Sequence, residues 1–221
     1  MLRIEHATLN LGGKTLFRDF DLHVDAGELV CLTGESGCGK TSLLKAVLGF
    51  VALDEGSVTV NGWRMGLKTV AQIRQFTAYV PQELSLPHET VKEMVRMPFD
   101  LKANKHIAFS KKRLWHYWDM LGLSHDLYES KTSYLSGGQR QRILLSVGAL
   151  LGRKLIMADE PTSALDTDSM KRVIAFFREL VAEGAAVLAV SHDRGFMAGC
   201  DRAHRQVRSA TPPPPSSVLG A

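Results

Sequence analysis

Cysteine is scarce in this sequence of 221 residues, which contains only Cys31, Cys38 and Cys200. None of the three belongs to a CxxC pair, and no histidine cluster surrounds them in the sequence. This spacing argues against a disulfide framework and against a structural zinc site. We therefore expect a reducing compartment, with the cytoplasm as the default location.

Long apolar runs are also absent, and so is the pattern of a signal peptide. No run approaches the roughly 18 residues that a helix needs to cross a bilayer, and Arg3 and Glu5 stand where a signal peptide would be apolar. Hydrophobic residues make up 45% and charged residues 23% of the chain, which is typical of globular proteins. We expect a chain that does not cross a membrane by itself.

The excess of positive charge is small, with a formal net charge of +4. A solvated surface explains it most simply, and a preference for polyanions, either an anionic membrane face or nucleic acid, is the alternative. No module that combines aromatic and basic residues for RNA or DNA binding accompanies the charge. We expect no nucleic-acid partner.

Strand and helix patterns alternate in both halves of the chain but not in its middle. Alternating polarity around Gly12 and Gly13 predicts antiparallel strands at the N-terminus. From about residue 84 to 134 helical periodicity replaces the strand patterns, which predicts an inserted helical lobe. In the second half, Asp168 is expected to cap a helix that Gly184 ends. The proline-rich residues 201–221 are expected to form a polar, disordered tail.

A glycine-rich loop follows an apolar strand and precedes a helical pattern. It reads Gly34-Glu35-Ser36-Gly37-Cys38-Gly39-Lys40-Thr41 and fits the phosphate-loop pattern G-x-x-x-x-G-K-[ST]. Glycines let successive backbone N–H groups surround phosphate oxygens, and the helix N-terminus adds a positive dipole. Lys40 is predicted to reach the β- and γ-phosphates and Thr41 or Ser42 to bind Mg²⁺, while Cys38 contributes only its backbone.

Two carboxylates follow the apolar strand Leu155–Ala158. Acids at the end of a buried parallel strand lie at the carboxyl edge of the sheet, where ligands bind in α/β folds. Asp159 suits the Mg²⁺ shell, and Glu160 suits a general base that polarises an attacking water. Because many strands end in acids, it is the combination with the phosphate loop that makes this prediction specific.

A second glycine motif, Leu135-Ser136-Gly137-Gly138-Gln139, precedes an amphipathic helix. A serine hydroxyl, two glycines and a helix N-terminus together can also meet a phosphate. Ser136, Gly137, Gly138 and Gln139 are therefore predicted to bind nucleotide. An ordinary capping serine before a flexible turn would explain Ser136 but not the rest of the motif.

Taken together, GESGCGKT, LSGGQ, LIMADEP and SALD resemble the ATP-binding subunit of ABC (ATP-binding cassette) transporters over roughly residues 1–200. The resemblance implies an α/β phosphate-loop NTPase fold with a parallel sheet, an N-terminal antiparallel β subdomain and an inserted helical subdomain. It implies ATP and Mg²⁺ as ligands, with Gln82 sensing the metal. It also implies that Asp166 takes part in nucleotide binding and that His192 contacts the γ-phosphate.

The resemblance further implies a homodimer in which two copies hold two ATP molecules head to tail. The phosphate loop of one copy then faces the LSGGQ segment of the other. A separate transmembrane permease is the implied partner, with the chain bound peripherally at the cytoplasmic face of the inner (plasma) membrane. ATP hydrolysis by this subunit would power transport.

Two features depart from the family pattern. Leu11 stands where the family usually has an aromatic ring that stacks on adenine, so we expect poor discrimination between ATP and GTP. Asp201–Arg208 is polar where the family usually has an apolar strand, so we expect an incomplete sheet edge.

The transported substrate stays open at this stage. Thr90–Glu93 followed by Met97–Phe99 resembles small bacterial cassettes associated with metal (iron) export, whereas import of small solutes and lipoprotein or cell-division-type cassettes are alternatives. A soluble cassette that serves iron–sulfur cluster assembly is the competing function of a different class.

Overall fold

The computed structural model describes residues 1–82 and 89–205. In chain order the strands are β1 (Leu2–Leu11), β2 (Lys14–Val24), β3 (Leu29–Thr33), β4 (Glu55–Val60), β5 (Trp63–Arg64), β6 (Thr77–Val80), β7 (Leu155–Asp159), β8 (Ala186–Val190) and β9 (Arg202–Arg205). The helices are α1 (Lys40–Val47), α2 (Val70–Phe76), α3 (Val91–Asp100), α4 (Lys111–Leu121), α5 (Gly137–Leu150), α6 (Thr167–Ala182) and α7 (Arg194–Ala198). The predicted α/β architecture is confirmed.

The N-terminal half contributes an antiparallel sheet with the strand order β2-β1-β4-β5. β1 and β2 form the predicted hairpin, and Gly12 and Gly13 make its turn with φ values of 58° and 74°. Leu2, Ile4 and Leu22 point inward and are buried, as the alternating polarity requires. The Asn61–Gly62 turn then joins β4 to β5.

A parallel sheet with the order β6-β7-β8-β3-β9 forms the centre of the protein. β7 and β8 are buried along their whole length, which explains their continuous apolar sequences. Their register places Asp159 opposite Val190. Because the strands run in parallel, the segments that follow β3, β7 and β8 meet at one edge of the sheet.

The middle of the chain is helical, as predicted, from Thr90 to Tyr134; residues 84–88 of the expected lobe lie outside the described residues. Trp118 is fully buried, and its Nε1 donates to Ser146 Oγ at 3.1 Å. Trp115 stacks on His125 with a ring separation of 4.3 Å and packs edge-on against Tyr128. The two tryptophans therefore anchor the lobe, in agreement with the sequence-based expectation.

The expected cap of α6 was wrong by one half-turn. Asp166, not Asp168, caps the helix, because its Oδ1 accepts the backbone N–H of Ser169 at 2.7 Å. Asp168 lies in the first turn and pairs with Lys171 instead. Both residues are acidic and both favour a helix N-terminus, so the sequence alone did not separate them.

The prediction of disorder after residue 200 is wrong for Arg202–Arg205. These residues form β9, which pairs in parallel with Val30–Thr33 at the edge of the sheet. Ion pairs replace apolar burial here, since Arg202 Nε lies 2.6 Å from Glu28 Oε1. The backbone N–H of Leu29 also donates to the Asp201 carboxylate at 2.8 Å. Residues 206–221 lie outside the described residues.

None of the helices in the described ranges is both long enough and apolar enough to cross a bilayer.

Candidate active site

The phosphate loop connects β3 to α1 and wraps around the ammonium group of Lys40. Lys40 Nζ donates to the carbonyl oxygens of Gly34 at 2.8 Å and of Glu35 at 2.9 Å. Gly39 has a φ of 98°, and a Cβ at this position would lie 2.9 Å from the Leu16 Cβ. Only glycine therefore fits here, where the loop passes close to the β1–β2 hairpin.

A hydroxyl and a carboxylate meet beside this loop. Thr41 Oγ1 donates to Asp159 Oδ2 at 2.7 Å, and Asp159 is 3% exposed at the end of β7. Burial and the neighbouring Asp159 carboxylate raise the pKa of the Tyr79 hydroxyl to about 12. Mg²⁺ prefers hydroxyl and carboxylate oxygens as ligands, so Thr41 and Asp159 fit this metal.

Glu160 lies next along the chain, in an unusual backbone conformation. Its φ is 49°, and its backbone N–H donates to the Val190 carbonyl at 2.9 Å. His192 Nδ1 lies 3.1 Å from both carboxylate oxygens of Glu160. A non-glycine residue in the left-handed region is strained, and such strain is concentrated at functional sites.

These groups surround one cavity of about 750 Å³. The residues that line it come from the hairpin, the phosphate loop with the start of α1, and the ends of β6, β7 and β8: Leu11, Leu16, Gly34, Glu35, Ser36, Gly37, Gly39, Lys40, Thr41, Ser42, Gln82, Asp159, Glu160, Val190 and His192. Cys38 is buried in the core instead, as expected for a residue that offers the site only its backbone. The fold thus brings Gln82 and His192 to the phosphate loop from distant parts of the sequence.

The second glycine motif lies elsewhere and builds a separate helix end. Ser136 Oγ accepts the N–H of Gln139 at 3.1 Å, and the Gln139 side chain accepts the N–H of Ser136 at 2.9 Å. Behind them, a Cβ on Gly138 would lie 3.0 Å from the Ala164 carbonyl oxygen. Among the described residues, neither the Ser136–Gln139 segment nor Asp166 lines the cavity. The two glycine motifs that the sequence predicts to bind phosphate therefore lie apart in one chain.

A family model described as ABC transporter matches residues 17–163 of the chain. The chain belongs to the ABC transporter family. It is 30% identical to the glutamine transport ATP-binding protein GlnQ of Bacillus subtilis, over 89% of this chain and 82% of that protein. It is 35% identical to the hemin import ATP-binding protein HmuV of Photobacterium profundum, over 84% of this chain and 68% of HmuV.

A solved structure of the ATP-binding cassette MJ0796, a post-hydrolysis dimer bound to ADP and Pi, has a similar fold. The two structures superpose with a TM-score of 0.79 at 25% sequence identity, and the match covers 93% of this chain and 94% of the MJ0796 chain. The cassette described here is accordingly an ATPase, and its fold and enzyme class are those that the motifs predicted.

Sequence reasoning missed two side chains of this cassette's site. Tyr79 lies beside Asp159, and Gln141 donates from its Nε2 to the backbone carbonyl of Glu160 at 3.0 Å. A signal for Gln141 was present, because it shares one face of α5 with the buried Leu145 and Gly148. A polar residue on an apolar helix face needs a buried hydrogen-bond partner.

Proposed function

We propose that this chain is the ATP-hydrolysing subunit of a membrane transporter and that two copies close around two ATP molecules. One observation carries the proposal: the cavity holds a phosphate loop with its acid and histidine, while the Ser136–Gln139 motif lies outside it. Two copies placed head to tail would complete each cavity with the other copy's motif. The dimeric cassette of MJ0796 supports this arrangement.

Within one cavity, the backbone N–H groups of Gly34–Gly39 and the Lys40 ammonium would hold the phosphates of ATP. Thr41 and Asp159 would hold Mg²⁺ together with Gln82, and the bound metal would neutralise the charge on the phosphate oxygens. Ser42 follows Thr41 on the same wall of the cavity and offers a second hydroxyl.

Glu160 is the proposed general base. Its side chain is 12% exposed, and its carboxylate is oriented by the His192 ring. In this position the carboxylate would accept a proton from the water that attacks the γ-phosphorus, and His192 would contact the γ-phosphate. Gln82, from the segment that leads toward the helical lobe, would report the state of the metal to that lobe.

Ser136, Gly137, Gly138 and Gln139 would bind the γ-phosphate held by the other copy, with Asp166 close to the shared interface. Each γ-phosphate would then be the bridge that keeps two copies together. Hydrolysis removes the bridge, so the dimer opens and its helical lobes move apart.

The proposed partner is a permease at the cytoplasmic face of the plasma membrane, with the cassette bound peripherally. The relatives named above are transport proteins, which favours this partner over iron–sulfur cluster assembly. A groove of about 480 Å³ between the helical lobe and the parallel sheet is a suitable seat for a permease loop, since Met94, Met97 and Leu151 give it an apolar wall. Those relatives serve different substrates, so metal export stays a prediction.

The test is ATP-driven dimerisation of the Glu160→Gln variant, measured by sedimentation velocity with MgATP or MgADP. The amide keeps the shape of Glu160 but accepts no proton, so hydrolysis should fall about 10²-fold or more and the ATP-bound dimer should accumulate. Glu183→Gln is the matched control. Glu183 is an exposed residue that pairs with Arg113, so this variant should hydrolyse ATP at the rate of the parent protein. A Glu160→Gln protein that stays monomeric with MgATP would refute the proposal.

A further inference from the structure

Gln141 connects the helix of the Ser136–Gln139 motif to the proposed catalytic base. The side chain is 6% exposed, and its Nε2 donates to the Glu160 carbonyl oxygen at 3.0 Å. Burying an amide is unfavourable unless it is hydrogen-bonded. Because an apolar residue would fill this helix position without that requirement, the amide points to a specific role.

The Glu160 peptide needs such support because its backbone is strained. On one side its N–H donates to Val190, at the end of β8. On the other side its carbonyl accepts the N–H of Ser163 at 3.3 Å, the hydroxyl of Ser163 at 3.2 Å and the amide of Gln141 at 3.0 Å. Val190 and Ser163 belong to the sheet and to the loop after β7, so among the described residues Gln141 is the contact that comes from α5.

We propose that Gln141 is a positioning residue that holds the Glu160 carboxylate against the attacking water and couples it to the Ser136–Gln139 motif. This inference rests on the proposed function, in which Glu160 is the base. Gln141 lies five positions after Ser136, within the first turns of α5. A small shift of this helix end, caused by the other copy's γ-phosphate, would therefore reach Glu160 through one hydrogen bond.

The physical consequence is a selective effect on turnover. The cavity that holds ATP is not lined by Gln141, so binding of the nucleotide should not depend on it. The attacking water, in contrast, depends on the position of the Glu160 carboxylate, and a small misplacement of a catalytic group lowers the rate steeply. Loss of the hydrogen bond should therefore lower kcat and leave KM nearly unchanged.

Two apolar variants of similar size, Gln141→Met and Gln141→Leu, test the inference, because each removes the amide donor and leaves no group that can donate to the Glu160 carbonyl. We expect kcat to fall about 5- to 10-fold and KM for ATP to change less than about twofold. The control is Gln72→Met on the exposed surface of α2, which should match the parent protein. Using two variants protects the test against one that fails to fold.

A second measurement separates positioning from simple packing. Each Gln141 substitution is combined with Glu160→Gln, and ATP-driven dimerisation is followed by sedimentation velocity. The inference is supported if the Gln141 variants that keep Glu160 show a reduced kcat and the same substitutions combined with Glu160→Gln leave dimerisation unchanged. An unchanged kcat, or a parallel loss of kcat, dimerisation and melting temperature, overturns it.

These outcomes are distinguishable from failure of the proposed function. If Glu160→Gln itself turns over normally, the base is wrongly assigned. If Glu160→Gln is inactive and both Gln141 variants turn over normally, the coupling role alone is wrong.

Discussion

Gly138→Ala offers a sharp test of the proposed closure of two copies, because Gly138 belongs to the motif that does not line the cavity of its own chain. An added Cβ would lie 2.9 Å from the Leu165 Cδ2 and 3.0 Å from the Ala164 carbonyl oxygen. The leucine can rotate away, but the carbonyl belongs to the backbone. We therefore expect the first turn of α5 to shift by a few tenths of an ångström relative to the segment before α6.

The magnitude follows from symmetry. We expect closure of the proposed dimer to return the first turn of α5 to its unshifted position, which restores the overpacking. Overpacking typically costs about 1–3 kcal/mol, and the proposed dimer uses the motif twice. Even about 1 kcal/mol per motif gives about 2 kcal/mol per dimer, which corresponds to a roughly 30-fold weaker dimer. In the monomer the shift relieves the clash, and alanine gains up to about 1 kcal/mol of helix propensity over glycine. The stability of the monomer should therefore change little.

Two assays check this prediction in the Glu160→Gln background. Sedimentation velocity at several protein concentrations with MgATP gives the dimerisation constant, and titration with a fluorescent ATP analogue at low concentration gives the affinity of the monomer. Gly66→Ala is the matched control, because its Cβ would meet nothing closer than the Thr69 hydroxyl at 4.0 Å. Unimpaired dimerisation of Gly138→Ala, or loss of ATP binding by its monomer, would refute the reasoning.

Three further predictions concern the loop, the hairpin and the sheet edge. Lys40→Ala should weaken ATP binding at least about tenfold in a nucleotide titration. Lys171 is an exposed lysine, so Lys171→Ala is the control and should bind ATP like the parent protein. Equal affinities of the two variants would contradict the role of the loop lysine. Leu11 is 54% exposed at the cavity, and its side chain has no hydrogen-bonding group to distinguish the two bases. Competition titrations should therefore give dissociation constants for ATP and GTP that agree within about threefold. A ratio above about ten would contradict this prediction. Arg202→Gln should speed cleavage of β9 in limited proteolysis, because it removes the ion pair with Glu28. The hydrogen bond from Arg202 also lowers the pKa of the Glu28 carboxyl below its ordinary value of 4.5. The stabilisation from the Arg202–Glu28 pair is fully present above pH 4.5 and is lost as the pH falls through the lowered pKa of Glu28. The difference in melting temperature between Arg202→Gln and the parent protein should therefore shrink in acid. A difference that does not depend on pH would exclude the ion pair as its cause.

Local patterns were sufficient to predict the phosphate loop, the acids after β7 and the helical middle of the chain. Each depends on neighbours in sequence: glycine spacing, an apolar run that ends in an acid, and helical periodicity. His192 and Gln82 were different, because on spacing alone they look like ordinary residues at strand ends. Only the family resemblance pointed to them, and the parallel register of the sheet brings them to the cavity.

The errors arose where tertiary contacts outweigh local preference. β9 is polar, so its sequence resembles a disordered tail, yet the Arg202–Glu28 pair and the backbone of β3 hold it in the sheet. Gln141 was overlooked because its partner, the Glu160 carbonyl, is 19 residues away in the sequence.

The order of residues along the chain by itself determined that this protein binds a triphosphate, because a phosphate loop is made by consecutive backbone N–H groups and one lysine. Tertiary structure decided which groups share a cavity and which do not. Parallel strands bring Glu160 and His192 together at one edge of the sheet, whereas α5 carries Ser136 away from it. That separation depends on the packing of whole elements, and no local sequence pattern encodes it.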